Sequence, residues 1–133
     1  MVNSPLCLHN TLDNQTHTFI LNEGSREAVD VWANYIEQLQ IDHQWYGLGH
    51  IRLLVDARDA MGLPIRYLFE MLSDYNRAYE HLDPPRITLA YLRNPDTVIL
   101  DIYQMMAEYF EPPLRLQFFT DADSAEEWLL KSQ

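Results

Sequence analysis

The chain has 133 residues, 47% hydrophobic and 22% charged. That composition fits one folded domain with a packed core, and suits neither a disordered segment nor a coiled coil. Nine basic residues stand against 20 acidic ones, a net charge of −11, so DNA, RNA and anionic membrane surfaces would be repelled rather than bound.

In chain order, Leu6 to Leu21 reads as two strand-like pieces either side of Asp13-Asn14-Gln15, whose turn chemistry allows a hairpin. Residues 1–16 are thus expected to form a hairpin arm or to be partly disordered. Ser25 can cap a helix on which Ala28, Trp32, Tyr35, Ile36 and Leu39 share one face. A polar and aromatic connection over Gln40 to Gly49 leads to Ile51–Val55, a nearly continuous apolar strand of the kind covered on both faces, ending at Asp56. Pro64 suits the first turn of a second helix carrying Ile65, Leu68, Leu72, Tyr75, Tyr79 and Leu82, which Asp83-Pro84-Pro85 stops. Ile87 to Leu92 reads as the next strand. Asn94-Pro95 then opens a third helix with Val98, Ile102, Met105, Met106 and Tyr109 as its buried stripe. Pro112-Pro113 breaks it before a last strand, Leu114 to Phe119, and a short final helix holding Ala125, Trp128 and Leu129, with Asp123 and Glu126 at capping-box spacing.

A helix between successive strands implies parallel pairing through right-handed crossovers. The expected fold is therefore α/β: one mixed, mostly parallel sheet of four to five strands flanked by about four helices, in a single domain over 1–133.

Chemistry-bearing motifs are scarce. Cys7 is the lone cysteine, so it has no internal disulfide partner and no second thiolate for a metal site. His9, His17, His43, His50 and His81 are dispersed without an HExxH pattern, and His43 and His50 near Trp45 and Tyr46 read as loop residues more readily than as a ligand patch. The four glycines form no phosphate-binding loop and no GxSxG elbow occurs. The reading expects no catalytic residue, no metal and no cofactor. With no apolar run approaching the roughly 18 to 20 residues of a membrane span, and no basic start with an apolar stretch at the N-terminus, it also expects a cytoplasmic protein without membrane insertion.

The group Asp56, Arg58 and Asp59 is the strongest polar constellation, because strand ends in open α/β sheets form the usual ligand-binding edge. Two carboxylates beside an arginine could do acid-base work if burial separated their pKa values. The plainer role is to accept loop and helix-start amides, with Arg58 solvated or ion-paired. Tyr67, Phe69, Met71, Tyr75, Tyr103, Met105 and Met106 read as core fillers that could also line an apolar pocket, and Tyr67 and Phe69, off the buried stripe, are left for a partner or a dimer contact.

Asp59-Ala60-Met61-Gly62-Leu63 resembles the Asp-Ser-Ser-Gly-Leu loop of STAS domains, the fold of bacterial anti-sigma-factor antagonists. Leu54-Val55-Asp56 before it is similar to the strand end of antagonist-like bacterial proteins. Phe118-Phe119-Thr120-Asp121 with Ala125-Glu126-Glu127-Trp128-Leu129 is similar to their closing stretch. The resemblance covers about residues 17 to 131. It implies recognition of a partner or ligand on the loop between the Asp56 strand and the helix starting near Pro64, and the expected contact surface is Asp56, Arg58, Asp59, Met61, Gly62 and Tyr67 on that loop and the adjoining helix. Met61 stands where the signalling members carry their phosphorylated serine and Ala60 replaces its neighbour, so the phosphorylation switch does not carry over. The expectation is a non-enzymatic, STAS-like interaction or regulatory module; the alternative is a carrier of a small apolar ligand or lipid.

Overall fold

The computed structural model describes residues 5–11, 16–42, 49–60, 64–79, 86–94 and 114–131. Among them are five strands and three helices: β1 (Cys7–Thr11), β2 (His17–Leu21), α1 (Arg26–Asp42), β3 (His50–Asp56), α2 (Ile65–Tyr79), β4 (Arg86–Leu92), β5 (Leu114–Phe119) and α3 (Ala122–Lys131).

The strands form one sheet in the order β1-β2-β3-β4-β5. β1 and β2 are antiparallel, with Cys7 opposite Leu21 and Thr11 opposite His17, so the first strand does join the sheet. The other neighbours are parallel, with Leu53 of β3 opposite His17 and Leu89, and Leu89 opposite Leu116. The fold is the expected α/β arrangement with one mixed, mostly parallel sheet. The Asp13-Asn14-Gln15 turn and the third predicted helix, from Pro95 to Tyr109, lie outside the described residues, which contain three helices rather than four.

Side chains alternate across the sheet, and two cores result. On one face Phe19, Leu21, Ile51, Leu53, Val55 and Leu89 share a core with Trp32, Ile36 and Leu39 of α1 and Leu68 and Leu72 of α2. On the other face Leu54, Ala90 and Leu92 meet Ala125 and Leu129 of α3. This two-sided burial is why Ile51–Val55 is apolar at every position but Arg52. α3 is pinned further by Arg52, whose Nε donates to the Leu129 carbonyl at 2.9 Å, and by Arg115, whose guanidinium lies 5.2 Å from the Trp128 ring centroid.

Local signals explain the helix starts. The Ser25 hydroxyl accepts the Ala28 amide at 3.2 Å, the expected N-cap of α1. At α3 the expected capping pair Asp123 and Glu126 gives way to Asp121, whose Oδ1 accepts the Ser124 amide at 2.8 Å. Phe119 ends the strand two residues earlier, so Asp121 already holds the N-cap position and Asp123 falls within the first turn.

Candidate functional site

Four parallel strands, β2 to β5, end at one edge, and the turn after β3 is fastened there. The Ala57 amide donates to the Leu92 carbonyl at 2.9 Å, and the Ala60 amide closes the turn on the Ala57 carbonyl at 3.1 Å. Within it Asp56 takes three hydrogen bonds from Arg58: its Oδ1 accepts the backbone amide at 3.1 Å and Nε at 3.0 Å, and its Oδ2 accepts Nη2 at 2.7 Å. Asn94, after β4, donates from Nδ2 to the Arg58 carbonyl at 3.1 Å.

Burial pushes the Asp56 carboxyl up, but the hydrogen bonds and charge of Arg58 outweigh it and hold the group below the usual carboxylate value. Arg58 is raised in turn, chiefly by its hydrogen bonding to Asp56. A carboxylate so committed does not offer a proton-accepting group poised near neutrality. The sequence therefore brings Asp56, Arg58 and Asp59 into one turn, but the Asp56 and Arg58 side chains are spent on each other. Met61 and Gly62 lie outside the described residues.

Tyr67 faces a different way. Its hydroxyl donates to Asp30 of α1, and Arg26 lies over its ring at 5.0 Å from the centroid. The Asp30 contact also raises the Tyr67 hydroxyl above its ordinary value. Further along α2, the Tyr75 hydroxyl donates to Gln40 Oε1 at 2.8 Å. The two tyrosines thus clamp α2 to α1 at either end of a gap between the helices.

That gap is a cavity of about 410 Å³, within the range of small-molecule sites. Trp32 and Ile36 of α1, Met71 and Leu72 of α2 and Leu53 and Leu89 of the sheet supply its apolar lining. Glu37, Glu70 and Asp74 line it as well, all three exposed, with no Lys, Arg or His among the described lining residues. Trp32 is only 2% exposed, yet its indole Nε1–H has no hydrogen-bond partner. An unmatched buried donor of that kind costs about 1–3 kcal/mol. Ser73 Oγ is also unpartnered, but Ser73 does not line the cavity.

Of the residues that could line a pocket, Tyr67, Met71 and Tyr75 do so, whereas Phe69 packs on the larger core. Tyr103, Met105 and Met106 fall outside the described residues. Trp32, Glu37 and Asp74 went unrecognised as site residues. Trp32 sits squarely in the helix stripe, and only the indole nitrogen, a donor that a core must satisfy, could have singled it out.

The histidines are less dispersed than their spacing suggests, because strand pairing brings two together. His9 Nε2 and His17 Nδ1 lie 3.3 Å apart, with the rings stacked at a centroid distance of 5.5 Å. Among the described residues, however, no group of three or more His, Cys, Asp or Glu is placed to hold a metal ion. His50 shares a 2.6 Å hydrogen bond with the Thr88 hydroxyl across β3 and β4. Burial and then the charges of Arg52 and Arg86 lower its pKa. His43 lies outside the described residues.

No protein-family model matches the chain, and no curated protein or solved structure does. Nor is any helix among the described residues long and apolar enough to cross a membrane.

Proposed function

We propose that this domain is a non-enzymatic binding module that holds a small, largely apolar molecule between α1, α2 and the sheet. The observation carrying this reading is the cavity of about 410 Å³ with its apolar lining from Trp32, Ile36, Leu53, Met71, Leu72 and Leu89. An apolar occupant would recover dispersion contacts that the lining side chains otherwise lack. The Asp56–Asp59 turn supports binding less well, because Asp56 and Arg58 are matched within the turn itself. The likeness of its loop to STAS domains belongs to this proposal as a regulatory setting, with ligand occupancy taking the place of phosphorylation.

The test is native mass spectrometry of freshly purified protein against its denatured mass, with saturable binding of the neutral dye Nile red as a second readout. The Ala33→Trp variant puts a large ring at a half-buried lining position. It should keep its circular dichroism while its dye affinity falls at least about tenfold, because a filled cavity forfeits the apolar burial that drives binding. Chain mass alone in several preparations, together with no dye binding that Ala33→Trp removes, would end the reading.

A further inference from the structure

β1 is an edge of the sheet, with β2 as its one neighbour among the described strands. Edge strands are commonly blunted by a lysine, a proline, a bulge or an inward-pointing charge. β1 reads Cys-Leu-His-Asn-Thr, and its register with β2 runs unbroken from Cys7 opposite Leu21 to Thr11 opposite His17. We propose that this edge pairs with the same edge of a second copy of the chain, β1 against β1 and antiparallel, with Leu8 on the two-fold axis. No residue of β1 or β2 lines the cavity, so this proposal and the cavity reading stand or fall separately.

Three observations carry it. The first is the direction of the backbone groups. The Asn22 amide donates to the Leu6 carbonyl at 3.0 Å, which sets the phase of the ladder. Because antiparallel ladders alternate, Leu8 and Asn10 also turn their amides and carbonyls to β2, whereas Cys7, His9 and Thr11 turn theirs away from it. With Leu8 on the axis, the outward groups of Cys7 meet those of His9 in the second copy, and the reverse.

The second is an apolar pair on the sheet face that carries α3. There α3 packs on Leu54, Ala90 and Leu92 of β3 and β4, while Leu8 and Ile20, opposite each other on β1 and β2, are 43% and 39% exposed. In the proposed register Leu8 lies directly opposite Leu8 of the second copy. The two leucines and the two Ile20 side chains then form one apolar row across four strands, and directly opposed pairs of this kind stabilise a sheet.

The third is charge, which selects the occupant. The chain has nine basic and 20 acidic residues, yet none of them falls at 5–11 or 16–22. A basic or an acidic extended segment would find no opposite charge on these two strands. An uncharged strand matches them, and β1 is itself one; a two-fold seam makes the surface its own complement.

Sedimentation of the whole chain over about 1 to 100 µM, the range in which a small interface dissociates, should show a monomer–dimer equilibrium. Each copy carries −11 and the seam holds no ion pair, so association should strengthen as salt is raised. Leu8→Lys and Ile20→Lys, both at exposed positions, should each weaken it about tenfold or more with unchanged circular dichroism. Under mild oxidation Leu8→Cys should cross-link two copies, because residues facing each other across the axis lie within disulfide reach. Asn10→Cys should not, since strand rise puts it roughly 13 Å from its mate; Cys7 is wholly buried and does not compete. A monomer at every concentration, a dimer that weakens with salt, or one that survives Leu8→Lys or fails to cross-link through position 8 would overturn the proposal. A monomer whose Cys7 and His9 amide resonances shift on adding an alternating valine-lysine peptide would give the edge to a different protein and overturn it equally.

Discussion

Cys7 is wholly buried at the start of β1, and loss of solvation pushes its thiol up to about 12. Since the thiolate is the reacting species, the native thiol should react with a disulfide reagent on the order of a hundredfold or more slower than the same cysteine in denaturant. Absorbance of the released thiolate, followed with and without guanidinium at one pH, checks this. Equal rates would mean that β1 leaves the sheet on the timescale of the assay. The contrast between Asp56 and Trp32 lies at the same scale. Asp56 looks functional in the sequence because it is a carboxylate at a strand end, yet its oxygens are occupied by Arg58. Trp32 looks structural because it is large and apolar, yet it has an unmet polar atom. What separates them is hydrogen-bond satisfaction, a property of the neighbours rather than of the residue type.

The helices show how local chemistry prepares a site that long-range packing completes. α1 starts at its serine cap, and Ser25→Ala should lower stability by about 1 kcal/mol, while Ser25→Asp should retain most of it. Urea midpoints of the two variants against the parent test this. A loss for Ser25→Ala below a few tenths of a kcal/mol would mean that tertiary contacts alone hold the first turn. Trp32 lies two turns beyond the cap, so the cap fixes the register in which α1 presents its indole and Glu37 to the cavity. α2 carries no acidic residue in its first turn. Its placement is instead tied to α1 through the hydroxyls of Tyr67 and Tyr75, and to the core through Leu68 and Leu72, buried at 2% and 6% exposure.

Over the whole molecule, charge is the dominant unbalanced quantity. A net charge of −11 on a small domain makes the folded state self-repulsive. Its exposed helix pairs, Arg66 with Glu70 and Lys131 with Glu127, offset little of that. Raising ionic strength from about 0.01 M to about 0.15 M shortens the Debye length from roughly 30 to 8 Å, so the thermal midpoint should rise with salt. A midpoint that falls would show that attractive pairs outweigh the surplus of like charge. The alternation of short apolar runs and amphipathic segments was enough to place β3, β4, β5 and the buried faces of α1 and α2, because burial imprints its period on the chain. Composition likewise set the acidic field. Only the tertiary structure decided that the hairpin joins the sheet edge, that His9 and His17 become neighbours, and that α1 and α2 leave a gap instead of closing over β3 and β4. A linear pattern records which side chains avoid water, whereas a cavity and an unmatched donor arise from how elements distant in sequence fail to fill the space between them.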